Sequence, residues 1–396
     1  MNHGFIVLFR GAQQSQFVAT MCKTFSQPLV KVRLILVICL VAVMLCACSR
    51  NQEVVVIGYA PALREVTMLA EEDFKETNLS SDIKIVVKGG PAGRGDVGSE
   101  IQIATTMSKW NDIIGVVGHA SSGQSLACAP IYNEAGIPQL IPTATNKRLR
   151  QAGPWTLMLS PDDSSEGAFM VGFMDNYLHA RSALLLYQPD DYCVGLAEGI
   201  TDALRSSKIA LLEKILFDDS TNAEIIIKTS LKHGIPDIVV LAANNPWIGV
   251  MARNYQAQIP GMRFLTGDAL SNISSLKDAG ATVSDSMYFV SFWYEGVRNP
   301  LSQQFVDRFK KSFNRLPDVF AAKSYDAISL LAAAVREVGT NRENIRRYLS
   351  NVGSSTPAYA GVTGLISFSD QNRQQMFILH LSNGNPTVVW SKHAEQ

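Results

Sequence analysis

Residues 113–124 read Ile113-Ile114-Gly115-Val116-Val117-Gly118-His119-Ala120-Ser121-Ser122-Gly123-Gln124. The first five are apolar or glycine with no polar break, as expected of a strand covered on both faces. Glycine and small hydroxyl residues follow, the residues preferred where a helix starts, and a helical stretch is predicted over 123–135. A strand buried on both sides that turns directly into a helix is a unit of a parallel sheet, because parallel strands need a crossover between them.

The same alternation extends in both directions. Upstream, strands are predicted at 54–58 and 83–87 with helices over 62–77 and 99–110. Downstream, strands are predicted at 137–141, 183–187, 209–217, 237–241, 262–266 and 286–291. Helices over 193–206, 221–233 and 246–258 separate them, and 300–313, 317–338 and 341–350 follow as three further helices. No element is predicted between 142 and 182. Segments 363–368, 375–381 and 386–390 alternate apolar and polar residues and are broken by Asp370-Gln371-Asn372 and Asn383-Gly384-Asn385, which predicts short antiparallel strands.

Composition bounds the function. The chain has 396 residues, with 35 Lys+Arg against 35 Asp+Glu, 47% apolar and 18% charged, so two domains are expected rather than one or four. Low charge and high apolar content exclude intrinsic disorder. Charge balance argues against a general nucleic-acid binder, which normally carries a basic excess. With 28 Gly and 6 Cys, collagen-like and disulfide-scaffold classes fail as well.

The start of the chain reads as a leader. Residues 34–45 (LILVICLVAVML) form an uncharged apolar run preceded by Lys23, Lys31 and Arg33, too short to span a bilayer comfortably. Leu45, Cys46, Ala47 and Cys48 resemble the lipobox of bacterial lipoproteins, which implies cleavage after Ala47 and acylation of Cys48. Residues 1–47 are then a lipoprotein signal peptide, and an alternative start at Met21 would leave 1–20 untranslated. Four of the six cysteines lie in this leader; Cys128 and Cys193 remain and are expected as free thiols.

In open parallel sheets ligands sit at the carboxyl ends of strands. Gly118-His119-Ala120-Ser121-Ser122-Gly123 and, after the next strand, Pro142-Thr143-Ala144-Thr145-Asn146 place hydroxyls and helix-opening N–H groups at adjacent strand ends. Such ends receive small anionic groups, although capping alone also accounts for Ser and Thr there.

These stretches resemble type I periplasmic solute-binding proteins, specifically the branched-chain amino-acid (Leu/Ile/Val)-binding family of ABC transporters. Three further segments carry the resemblance: Asp191-Tyr192-Cys193-Val194-Gly195; Asn314-Arg315-Leu316-Pro317-Asp318, continuing to Ser324-Tyr325-Asp326-Ala327; and Gly361-Val362-Thr363-Gly364, continuing to Ile366-Ser367-Phe368. It covers about 112–380 and weakens over 54–111.

By resemblance, Ser122 and Thr145 grip a ligand carboxylate with the backbone at Thr143, and Tyr192 closes over the ligand from the second lobe. Asp268, ending Phe264-Leu265-Thr266-Gly267-Asp268, stands near the ligand ammonium, and Trp247 is another cleft aromatic by rough alignment. A zwitterion suits neutral donors at one end and a charge-assisted partner at the other.

Three departures from the family pattern imply a first-lobe half that is more open, more basic and differently selective. Gly58-Tyr59-Ala60-Pro61 passes almost directly into a helix, Lys88-Gly89-Gly90-Pro91-Ala92-Gly93-Arg94-Gly95 replaces an acidic loop, and Cys193 replaces Gly.

Competing readings are weaker. Gly93-Arg94-Gly95-Asp96-Val97-Gly98 fits G-x-G-x-x-G, yet no acidic residue closes the following strand, where a ribose hydroxyl would be read. No nucleophile motif or metal-ligand spacing is present, and His119 is expected to be structural. Asn341–Arg347 is expected to be a solvated helix face or a docking surface.

The expected fold is α/β, with two Rossmann-like lobes, parallel central sheets and three crossover strands. Lobe 1 would span 48–160 plus 292–370, and lobe 2 161–291 plus 371–396. The expected function is non-enzymatic capture of an amino acid or related zwitterion by hinge closure, for delivery to an ABC permease. The site is expected outside the cytoplasm on a lipid anchor, with no cofactor, metal or nucleic acid. The alternative keeps the fold in a ligand-sensing or interaction lipoprotein that signals to a partner.

Overall fold

The computed structural model describes residues 53–60, 63–75, 78–80, 83–218, 222–271, 285–369, 374–382 and 385–392. The leader, with Cys48, lies outside the described residues. One compact unit, Val54–Leu79 with Lys84–Gln396, carries the cavity described below.

One sheet has six strands in the order β2-β3-β1-β4-β5-β6, namely β1 (Glu53–Tyr59), β2 (Asn78–Ser80), β3 (Ile83–Gly89), β4 (Ile113–Val117), β5 (Gln139–Ile141) and β6 (Thr156–Met158). The β1–β4, β4–β5 and β5–β6 pairings are all parallel, with Tyr59 opposite Val117 and Ile141 opposite Met158. Their carboxyl ends therefore emerge on one edge. Strand β4 is buried along its whole length, as its apolar run requires. Helices α1 (Arg64–Lys75), α2 (Val97–Met107) and α3 (Ser122–Ala135) follow β1, β3 and β4. Ser121 caps α3 by accepting from Gln124 N while the Gln124 side chain accepts from Ser121 N, a reciprocal capping box, and Gly136 ends the helix in the left-handed region at φ 60°.

The other sheet has seven strands in the order β15-β14-β11-β10-β9-β7-β8. Strands β7 (Ser182–Tyr187), β8 (Ala210–Leu216), β9 (Ile238–Ala242), β10 (Phe264–Thr266) and β11 (Met287–Ser291) run parallel. A hairpin of β14 (Met376–Ser382) and β15 (Asn385–Lys392) adds antiparallel to β11. The first of the three alternating tail segments instead supplies β13 (Gly364–Ile366), which pairs only with β12 (Tyr359–Gly361). Helices α4 (Asp163–Asn176), α5 (Asp191–Arg205), α6 (Ala223–Ser230) and α7 (Trp247–Gln258) accompany this sheet.

Helix α4 is absent from the sequence-based expectation. Its polar Asp163 and Glu166 are buried together with Phe169, Met170, Val171, Phe173 and Met174, so no polar face marks a helical period. It crosses α5 at glycines: a Cβ on Gly167 would lie 2.5 Å from Ile200 N.

The chain returns toward the first sheet through α8 (Pro300–Phe313), α9 (Val319–Val338) and α10 (Arg342–Ser350). Helix α9 lies so close to β4 that a Cβ on Gly115 would sit 2.7 Å from Leu331 Cδ2, which accounts for a glycine inside that strand. The three connections between the sheets follow β6, β11 and β13. Buried groups of α9 pin the first of them and the turn before β13: Lys323 Nζ donates to Leu159 O at 3.0 Å, and Asp326 accepts from Val362 N at 2.7 Å and Thr363 N at 2.8 Å. The 341–347 segment also does more than face solvent. Asn341 caps α10, and Arg342 donates to Ile113 O at 2.7 Å and Trp110 O at 3.3 Å, satisfying carbonyls where β4 begins.

Candidate functional site

The strand ends of the two sheets line a partly open cavity of about 420 Å³. From the first sheet come Ala120, Ser121, Ser122 and Gly123 at the start of α3, Thr143 and Ala144 beyond β5, and Val97 at the start of α2. The second sheet contributes Pro189 to Tyr192 after β7, Asn244 after β9, and Asp268 and Ala269 after β10; Phe320 of α9 completes the wall.

The first-sheet side is neutral and rich in donors. Ser122 is 1% exposed and its oxygen accepts from Asn146 N at 3.3 Å, which leaves its proton for a ligand. The N–H groups of Ser122 and Gly123 belong to the first turn of α3, where no intrahelical carbonyl is available to them. Thr143 lines the cavity, with its hydroxyl donating to Ala120 O at 3.4 Å.

The opposite side is acidic. The Tyr192 hydroxyl accepts from Ala269 N at 3.2 Å and hydrogen-bonds the Asp268 carboxyl, tying the start of α5 to the turn after β10. Burial pushes Asp268 up to about 6, against the hydrogen bond from Tyr192, and Asp268 Oδ1 has no hydrogen-bond partner. Behind it Glu166 Oε1 accepts from Asp268 N at 3.0 Å. Burial, with the charges of Asp268 and Asp163 adding, pushes Glu166 well above the usual carboxylate range. Burial likewise pushes Asp163 up to about 8.

The two sides are fastened across the cavity. Asn146 Nδ2 donates to Asp191 O at 2.5 Å, Arg148 Nη1 to Asp191 Oδ1 at 3.2 Å, and Lys147 pairs with Glu198 at 3.1 Å.

Four sequence-predicted site residues, Ser122, Thr143, Tyr192 and Asp268, thus meet around one cavity. Thr145 and Trp247 do not line it. Thr145 is fully buried behind the wall, where its carbonyl accepts from Asp163 N at 2.8 Å. Trp247 opens α7 and packs edge-on against Phe217, ring centroids 6.1 Å apart, with its half-buried indole against the core of the second sheet. Asn244, three residues earlier, takes the place at the cavity and donates to Asp190 Oδ2 at 2.8 Å. A polar residue directly after a buried strand was the signal for it. Asp163 and Glu166 were also missed, although Asp162-Asp163-Ser164-Ser165-Glu166 carries an acidic helix start.

The expected basic character of the first-sheet side is not found. Lys88 lies over the Trp110 ring at 4.4 Å, and neither it nor Arg94 lines the cavity. The glycine loop is held by its backbone, with Gln124 Nε2 donating to Gly95 O at 2.6 Å, and Asp96 caps α2 by accepting from Ser99 N at 2.8 Å. His119 is buried, its Nδ1 2.5 Å from Glu100 Oε2 and its Nε2 3.1 Å from Tyr132 Oη. Cys128 and Cys193 are both free and buried. Among the described residues no group of His, Cys, Asp and Glu has a metal-binding arrangement.

Two α/β halves closed over a cavity at their strand ends define a two-lobed ligand-binding protein. The family profile described as periplasmic binding protein matches residues 91–385, and the chain belongs to that family. It is a family of binding proteins, not of enzymes. An amino acid binding protein of Pseudomonas aeruginosa is 23% identical over 246 residues, 61% of this chain and 64% of that protein. A Leu/Ile/Val-binding protein homolog of Brucella suis is 24% identical over 229 residues, 57% of this chain and 60% of its own. The matched region thus spans less than two thirds of these curated relatives. A leucine-binding protein structure from Thermotoga maritima shares the fold with a TM-score of 0.76 at 20% identity, covering 86% of this chain and 99% of that one.

Proposed function

We propose that the protein captures an amino acid or related zwitterion in this cavity outside the cytoplasm, held to a membrane through Cys48, and delivers it to an ABC permease. One observation carries the reading: one cleft has neutral donors at one end, Ser122 and the first turn of α3, and a buried carboxyl, Asp268, at the other. The ligand carboxylate would meet the first and its ammonium the second. The names of the Pseudomonas and Brucella relatives support an amino acid.

The moving parts would be the lobes of residues 48–160 plus 292–370 and 161–291 plus 371–396, rocking about the three connections. Ligand favours closure only by its greater affinity for the closed form, here through Tyr192 and Asp268 arriving on a molecule already docked at Ser122. The Leu45-Cys46-Ala47-Cys48 segment supports the anchor.

The test is a thermal-shift screen of the chain from Ser49 onward, refolded to strip bound ligand, against amino acids, small amides and plain carboxylates. A ligand at about 100 times its dissociation constant adds roughly 2.7 kcal/mol and raises the unfolding temperature clearly. An amino-acid hit that weakens in Asp268→Asn is the expected result. A hit confined to plain carboxylates would remove Asp268 from its ammonium role. Labelled fatty acid should enter the full-length protein and be lost in Cys48→Ser.

A further inference from the structure

Three aspartates line the cavity, and no Lys, Arg or His does. Two of them are matched within the protein. Asp190 accepts from Tyr192 N, Cys193 N and Asn244 Nδ2, and Asp191 accepts from Arg148. Asp268 differs: its carboxyl meets the Tyr192 hydroxyl, it is 6% exposed, and its Oδ1 has no hydrogen-bond partner. The elements packed around it bring no cation. From α4 come Glu166, whose Oε1 accepts from Asp268 N at 3.0 Å, and Asp163 one turn earlier, both without exposure. From α5 comes Tyr192, with Asp190 and Asp191 beyond it. The turn after β9 brings the neutral Asn244 and Asn245, the latter donating to Ala269 O at 3.4 Å. Strand β11 carries Tyr288, which stacks on His380 at 4.7 Å, and α9 brings Phe320.

Cations of the surrounding segments are engaged elsewhere: Lys147 pairs with Glu198, Arg150 with Asp162, and Lys323 Nζ donates to Leu159 O. A carboxylate held away from water without a counter-charge is costly, so a carboxyl in this position holds either a proton or a cationic ligand group. Adjacent carboxyls cannot all ionise together. Burial, with its neighbours' charges adding, keeps Glu166 well above the usual carboxylate range, and burial pushes Asp163 up to about 8. Both therefore keep their protons near neutral pH. Asp268, at the cavity wall and hydrogen-bonded by Tyr192, is raised least, to about 6. It alone changes charge where the ligand ammonium arrives.

We propose that ligand capture is linked to protons: the ligand ammonium takes the place of the proton on the Asp268 carboxyl, so the cleft loads near neutral pH and unloads as its surroundings acidify. The displaced proton goes to solvent, and the ammonium N–H groups then donate to the carboxylate. The liganded state holds fewer protons than the free one, so affinity falls as pH falls through the Asp268 value, approaching ten-fold per pH unit below it. Glu166 and Asp163 stay protonated behind the wall and leave Asp268 as the single switch. The inference rests on the amino-acid reading of the cavity and adds its pH dependence.

Binding should be measured by calorimetry on the full chain in detergent, stripped of ligand, with leucine, valine, serine and phenylalanine, none of which titrates between pH 5 and pH 7.5. Kd is expected to rise about ten-fold from pH 7.5 to pH 5. Paired buffers of different ionisation heat should show more than about half a proton released per ligand at pH 5 and a small fraction at pH 7.5. Tyr192→Phe, which removes the hydrogen bond to the Asp268 carboxyl, should move the midpoint of the Kd profile to higher pH. A midpoint left in place would assign the titration to another group and overturn the inference. Should that variant not fold, loss of a protonated-carboxyl infrared band on binding at pH 5 decides in its place. Equal Kd at both pH values, with no proton released, would overturn the linkage and leave the amino-acid reading standing. If none of the four binds at pH 7.5, that reading fails and this inference with it.

Discussion

Ser122 and Asp268 lie at opposite ends of one cavity for a local reason each. Ser122 opens a helix straight after a buried strand, and Asp268 follows the short strand β10 into a turn. Removing either leaves a ligand group without its buried partner. Ser122→Ala and Asp268→Asn should each weaken ligand binding by about 1–3 kcal/mol in calorimetry. Trp247→Ala should leave affinity unchanged and lower the unfolding temperature, since the indole meets Phe217 and the core rather than the cavity. Residues directly at strand ends were legible in sequence because the strand edge places them. Thr145 was not: beyond β5 the chain turns so that Asn146 N reaches Ser122 Oγ, and Thr145 faces Asp163 instead of the cavity. No sequence pattern records the direction of that turn.

At the scale of elements, α4 and α5 matter most, because their crossing holds Asp163 and Glu166 behind the cavity wall. The helices meet at Gly167 and Gly199, and a Cβ on Gly199 would collide with the Asp163 backbone. Gly199→Ala should therefore destabilise the protein by about 1–3 kcal/mol in denaturant unfolding. Gly172, on the same α4 with nothing within 4 Å of an added Cβ, is the contrast. Gly172→Ala should stabilise by about 0.4–1 kcal/mol. Sequence periodicity reveals helices with one wet face and so found α8, whose pattern separates cleanly. It failed on α4, whose polar residues are buried with its apolar ones.

At the scale of the whole molecule, the acidic cluster should show in the pH dependence of stability. Asp163 is pushed up to about 8 and Asp268 to about 6, and Glu166 is raised as well, each chiefly by burial. Groups raised in the folded state bind more protons there than in the unfolded chain between pH 4 and the raised values. Stability therefore falls as pH rises through that window. The carboxyls whose pKa is lowered, such as Asp162 with Arg150 and Ser165, act in the opposite sense at lower pH. Lys323, lowered to about 8 by burial, acts above the window. Without ligand, the unfolding temperature should drop by several degrees from pH 5 to pH 8, at about 1.4 kcal/mol per unit of raised pKa. Glu166→Gln or Asp163→Asn should flatten the drop. An unchanged slope in both would show that the cluster does not carry it.

The sequence by itself determined the class of fold. Uninterrupted apolar strands followed by glycine, hydroxyls and helical periods admit few arrangements other than parallel sheets with helices on both faces, and strand ends then mark where a ligand goes. Ordered motifs from 112 to 380 added the family resemblance, which the profile match over 91–385 bears out. Only the tertiary structure decided which strand-end residues share the cavity, placing Asn244 there and half-buried Trp247 against the core. It also decided the charge of the wall. Asp268 in that wall is backed by buried Glu166 and Asp163 from a segment about a hundred residues away, and burial is a property of the assembled fold that no single segment carries.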